Sequence, residues 1–181
     1  MAIEQRPRRV RSRLVLVGAV FVVGLGLLYP AHWLFHPWGA PFRPGLVGYW
    51  QGEVPFGSGD SRTMVLRLRD EVGGGDEGSE IGGSATVCEA GQSVTYEISG
   101  DATNYRGTRF WLNAQPTGAA AGLYLGRLNG AWDGRDGLTV STSLLRIDPD
   151  GAAGFATPDA PPVSFQLGRA SEADFTGACD G

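Results

Sequence analysis

Few side chains in this chain are equipped for chemistry, and their positions matter more than their number. The two histidines, His32 and His36, stand four residues apart among aromatic residues, and the 181-residue chain contains no lysine, all 15 basic residues being arginine. Beyond residue 36 there is no imidazole and no side-chain amine. A Ser-His-Asp or Cys-His arrangement is therefore excluded from the rest of the chain, as is a zinc site with the usual histidine and cysteine ligands. Carboxylates remain. Glu53, Glu89 and Glu97 fall in strand-like segments, but Glu53 and Glu97 alternate out of phase with their apolar neighbours and point away from a core, toward Arg67, Arg69 or solvent. Such exposed pairs are worth only about 0–1 kcal/mol and lack the burial that tunes a catalytic acid. Asp133-Gly134-Arg135-Asp136-Gly137 and Asp148-Pro149-Asp150-Gly151 lack the spacing and terminal Glu of a calcium loop and read as turns. The expectation is a protein that is not an enzyme and uses neither metal nor cofactor.

The first thirteen residues hold five arginines against one acid, and the run from Leu14 to Tyr29 is uncharged. As a helix that run spans about 24 Å, and its extension to Phe35 about 33 Å, against a hydrocarbon thickness of about 30 Å. Tyr29, Trp33, Phe35 and Trp38 would supply an aromatic belt, and the arginines would hold the N-terminus in the cytoplasm. The rival is a cleaved signal peptide, but neither Ala31 nor Ala40 ends a small-x-small site, since Tyr29 and Trp38 precede them by two. Both readings export the remainder of the chain. The expected organisation is a basic cytoplasmic segment (1–13), a transmembrane signal anchor (14–35), a Pro/Gly spacer (36–45), a β-domain (46–170) and a C-terminal tail (171–181). The partner of 14–35 is the lipid bilayer of the cell membrane.

Residues 41–181 carry ten arginines and eighteen acids, net −8, which leaves no electrostatic footprint for nucleic acid. Cys88 and Cys179 lie in this exported part, where oxidation favours a disulfide over free thiols. The bridge would close a loop of about ninety residues and, in the chain-entropy view, contribute about 4–5 kcal/mol.

Positioning these groups requires β-structure: beyond residue 45 apolar residues alternate, and turn clusters recur about every ten residues. The alternation predicts strands over 46–54, 62–70, 81–89, 93–100, 108–114, 122–132, 137–147 and 163–169, with a bend at Gly126 where the apolar parity shifts. The fold class is all-β. Eight short strands joined by tight connections point to an antiparallel up-and-down barrel that hides its edges, with a sandwich as the alternative. The inward set includes Trp50, Leu66, Tyr96, Phe110, Trp132 and Phe165; Trp111 takes the opposite parity to Phe110.

Gly48-Tyr49-Trp50 on the first of eight strands resembles the G-x-W signature of the calycin barrels, the lipocalin and avidin-like proteins. The resemblance implies that Trp50 plugs one barrel end, that Arg169 packs across it, and that a Cys88–Cys179 bridge ties the tail to the outer wall. The second lipocalin motif and the helix that usually follows strand eight are not evident. The pattern G-x-W-x-G occurs at Gly48–Gly52 and again at Gly130–Gly134, most simply as two packing tryptophans. Two expectations arise for the exported barrel. Either the six inward residues line a cavity for a small apolar or amphipathic ligand, or they fill the interior and the domain meets another envelope protein through its surface.

Overall fold

The computed structural model describes residues 8–35, 37–40, 45–56, 59–71, 80–89, 92–118, 122–155 and 162–179. It forms two compact units, Met1–His36 and Pro37–Gly181. The first contains one helix, α1 (Arg8–Phe35), with Pro30 inside it. Val17, Val20, Val22, Val23, Leu27 and Leu28 on it are 60–69% exposed. Among the described residues no helix is long and apolar enough to cross a membrane. The side chains at 11–16, 19, 21, 25 and 29, which make up much of the uncharged run, lie outside the described set.

The second unit is built from β1 (Gly48–Pro55), β2 (Ser61–Asp70), β3 (Ile81–Glu89), β4 (Gln92–Ala102), β5 (Arg109–Pro116), β6 (Gly122–Trp132), β7 (Gly137–Ile147), β8 (Ala153–Phe155), β9 (Val163–Ala170) and the short helix α2 (Glu172–Gly177). Strands β1 to β7 pair consecutively and antiparallel, and β9 enters between β7 and β1 to close the ring. The result is the expected eight-stranded antiparallel barrel rather than a sandwich, consistent with a calycin-like fold. All eight sequence-predicted strands are present, with no end displaced by more than two residues.

Alternation does what period-two patterning requires. On β2, Met64, Leu66 and Leu68 are at most 1% exposed, whereas Arg67 and Arg69 are outside. The bend on β6 is real: its register with β7 shifts between Leu125 and Leu128, and Gly126 passes close to the Ser143 carbonyl. Three features lack a local signature in the sequence. Strand β8 has only three residues and covers the far edge of β7. Helix α2, absent from the sequence reading of the 171–181 tail, starts at a reciprocal capping box in which the Ser171 hydroxyl accepts from the Asp174 N–H and the Asp174 carboxylate accepts from the Ser171 N–H. A six-residue helix is too short to show periodicity; it is held by packing on β1 and β2, with Phe175 5.5 Å from the Tyr49 ring. Third, Pro37–Gly39 forms a 3-10 turn that belongs to the barrel unit, and Trp38 is 4% exposed within the barrel core. Trp38 rests on Gly107, whose φ of +65° and missing side chain make room for it.

Cys88 and Cys179 are bonded, with Cα atoms 5.3 Å apart and a sequence separation of 91. The tail thus runs from β9 across the outside of β1 and β2 and is fastened to β3. Val65, which takes the outward parity of β2, is 1% exposed on a strand that α2 packs against. Replacing both cysteines by serine should lower the unfolding free energy by about 2–5 kcal/mol, measured by urea unfolding, with Val65 amide exchange accelerating more than that of Leu125. An unchanged midpoint would show that α2 docks without its staple.

Candidate functional site

The six residues read as inward are found in and around the barrel interior. Trp50 and Leu66 are 0% exposed, Tyr96 1%, Phe110 2% and Phe165 6%, and all five belong to one apolar cluster with Leu68, Ile98, Leu112, Leu128 and Val140. The structure therefore brings these sequence-predicted residues together, with their side chains against one another. The Tyr96 and Tyr124 rings meet edge to face at 6.4 Å, and the Tyr96 hydroxyl accepts from the Leu125 N–H at 3.4 Å, which satisfies the polar end of a buried phenol. Trp132, the sixth, is half-buried and packs on the margin of the cluster. Gly130, cross-strand from Phe110, leaves the space that the Phe110 ring occupies; any side chain there would collide with it.

One end of the barrel is closed by a network that joins both G-x-W-x-G motifs. The Trp50 indole N–H donates to the Leu46 carbonyl at 3.0 Å, and the Arg169 guanidinium lies 3.7 Å from the Trp50 ring centroid. Arg169 donates through Nη1 to the Val47 carbonyl (3.0 Å) and through Nη2 to the carbonyls of Gly45 (2.6 Å) and Arg135 (3.2 Å). The Trp132 indole N–H donates to the same Arg135 carbonyl at 3.0 Å. Burial lowers the Arg169 pKa, an effect opposed by Asp136 and Asp133. Asp133 holds the loop by accepting the N–H groups of Arg135 (2.7 Å) and Gly137 (3.1 Å), and these bonds push its carboxyl below the ordinary aspartate value. The Asp-Gly run is thus a turn.

The other chemistry-bearing residues stay apart. Glu53 is exposed and accepts the hydroxyls of Thr63 (2.8 Å) and Ser61 (3.1 Å). Among the described residues no three His, Cys, Asp or Glu side chains gather in a way that could hold a metal ion.

The outer wall carries the feature that sequence reasoning missed. A depression of about 420 Å³ lies over β5, β6, β7 and β9, walled by Thr103, Arg109, Asn129, Thr139, Ser141 and Ser164. Register makes it: Arg109–Ala131–Thr139 and Trp111–Asn129–Ser141–Ser164 form two adjacent rows across the strands. Trp111 faces outward as its parity implied, half-buried, with the Arg127 guanidinium 4.4 Å from its ring centroid. Each strand shows only alternating small polar residues; the depression exists only once four strands are aligned. The chain matches no protein-family model, no curated protein and no solved structure.

Two outcomes are expected at the closed end. Arg169→Ala leaves the part-buried carbonyls of Gly45 and Val47 without this donor and uncovers the Trp50 indole, and should cost about 2–4 kcal/mol in chemical unfolding, with Arg169→Lys recovering little because one ammonium cannot serve both carbonyls and cover the indole. Asp133 carries a lowered carboxyl pKa, so its stabilising contribution is complete above the ordinary aspartate value and is lost as pH falls through the folded one. Thermal unfolding followed from pH 5 down to pH 2 should accordingly show a smaller acid-side loss for Asp133→Asn than for the parent.

Proposed function

We propose that this protein is a non-catalytic, calycin-like barrel, anchored in the cell membrane by its N-terminal helix and displayed outside the cytoplasm, which works through its outer surface in the cell envelope. The observation that carries the proposal is the packing of the interior. Five residues that could have lined a ligand cavity are at most 6% exposed and are buried against each other in one apolar cluster. An eight-stranded barrel is just wide enough for side chains to fill. With the interior so occupied, recognition falls to the outside.

The anchor is supported by sequence: an uncharged run from Leu14 to Tyr29 behind five arginines, within a helix of 28 residues. Export is supported by the disulfide, a bond favoured in oxidising compartments, and by the change in net charge from +4 over residues 1–40 to −8 over residues 41–181. The absence of histidine and lysine from the barrel supports a role without catalysis.

Two measurements test these points. The full chain extracted in mild detergent should give a native mass spectrum free of stoichiometric lipid, and Leu66→Ala should cost about 2–5 kcal/mol, as for a packed core position. A one-to-one lipid adduct that survives desolvation would instead establish an internal ligand site. Expressed in cells, the full chain should resist alkaline carbonate extraction, and a protease added to intact spheroplasts should degrade the barrel; release by carbonate would overturn the anchor.

A further inference from the structure

The barrel is electrostatically divided. The exported part is strongly acidic, and β1 to β4 carry Glu53, Asp70, Glu89, Glu97 and Asp101 beside Arg62, Arg67 and Arg69. Strands β5, β6, β7 and β9 carry no carboxylate at all, and their charged residues are Arg109, Arg127, Arg146 and Arg169. Arg169 is committed to the closed end and Arg146 pairs with Asp148 at 3.2 Å. Among the described residues neither Arg109 nor Arg127 has a carboxylate partner. Asp101, the acid cross-strand from Trp111, is occupied as acceptor of the Glu80 N–H at 3.0 Å.

The depression lies on these four strands. Arg109 forms one wall; Asn129 offers an amide, and Thr103, Thr139 and Ser164 offer hydroxyls, with Ala131 and Gly130 keeping the floor low. Trp111, adjoining Asn129 across the strands, lies beside this lining with the Arg127 guanidinium 4.4 Å from its ring centroid. The Arg109 end is held in place: the Asn104 side chain accepts the Arg109 N–H at 3.1 Å and donates to the Thr108 hydroxyl at 2.7 Å.

We infer that this outer depression is a binding site for an acidic saccharide, a sugar unit or short glycan bearing a carboxylate. Its volume of about 420 Å³ falls within the range of small-molecule sites, about 300–1,000 Å³. The lining selects the class. The lining sets hydroxyls and an amide among apolar surface of comparable extent, so a purely apolar ligand would leave those polar groups without partners. A phosphate would need clustered backbone N–H groups or several arginines, whereas the strand N–H groups here are used in the ladder. A peptide adding as a strand would need an unpaired edge, and at the depression β5, β6, β7 and β9 are paired with one another. Several hydroxyl and amide partners, one forked cation for a carboxylate and an aromatic face beside them together match a polyhydroxylated acid.

This inference rests on the reading of the protein as a filled barrel acting through its surface, and its test is separable from that of the filled interior. The full chain in detergent micelles is titrated with tri-galacturonic acid, with maltotriose as the neutral comparison, by calorimetry and by amide chemical shifts. Expected is weak binding of the acidic trimer only, with shifts confined to residues around Arg109, Asn129, Ser141 and Ser164. Arg109→Gln should weaken it about tenfold or more, and Ser164→Tyr should abolish it by filling the depression, whereas Arg62→Gln on the opposite wall should leave it unchanged. No shift up to 10 mM ligand, equal binding of maltotriose, or an Arg109→Gln protein that binds as the parent does would overturn the site, while leaving the packed interior to its own lipid test. Shifts at Leu66 and Tyr96 instead would overturn both.

Discussion

Everything in the barrel depends on β9 pairing with β1 and β7 at once. Trp50 and Arg169 are register partners in the β1–β9 ladder, so the pairing that closes the sheet also sets the guanidinium over the indole. Directly opposite residues of an antiparallel pair point to the same face, so the two side chains must share one space. A shift of β9 by one residue would send Phe165 and Leu167 to solvent and withdraw Arg169 from the three carbonyls it serves. The cation–π stack and the hydrogen bonds therefore act as a register lock as well as a plug. They also tie the chain entering β1, through Gly45 and Val47, to the loop leaving β6, through Arg135. The repeated G-x-W-x-G pattern finds its explanation there: both indoles come to the end where Arg169 sits, and Gly48 and Gly52 lie against Arg169 and the Gln166 carbonyl with no room for a side chain.

Period-two alternation made the strands, their inward faces and the outward turn of Trp111 legible, because one wet face and one dry face leave a signal that needs no knowledge of neighbours. The cysteine pair was legible for a similar reason, since compartment and count alone constrain it. Legibility ended where a residue's role is decided by distant chain. Trp38 sits among prolines and glycines that suggest a spacer, and only Gly107, nearly seventy residues away, gives it somewhere to pack. Helix α2 owes its existence to a cap and to Tyr49, not to a stripe of its own. Parity could state that Trp50, Leu66, Tyr96, Phe110 and Phe165 face inward; whether inward means a cavity or a core depends on how rings and methyls from eight strands add up.

Gly130 shows how filling the interior and shaping the exterior are linked. Its missing side chain admits the Phe110 ring to the core beneath β6, so a large residue is accommodated without displacing the strand. On the outside, the same stretch of sheet has Ala131, Ser141 and Ser164 as its outward neighbours, too short to cover the backbone between them. A well-packed wall need not be smooth on its far side: the inward residues answer to volume, the outward ones only to solvent and partners. Four strands whose inward positions are Phe110, Leu112, Leu128, Leu138, Val140, Phe165 and Leu167 could carry any outward set compatible with a strand. In a domain of net charge −8, exposed arginines gain most by pairing with the abundant acids, and Arg62, Arg69 and Arg146 do so. The strands β5, β6, β7 and β9 contain no acid, and Arg109 and Arg127 have no carboxylate partner among the described residues. A wall kept free of carboxylates is one on which a ligand can bring its own.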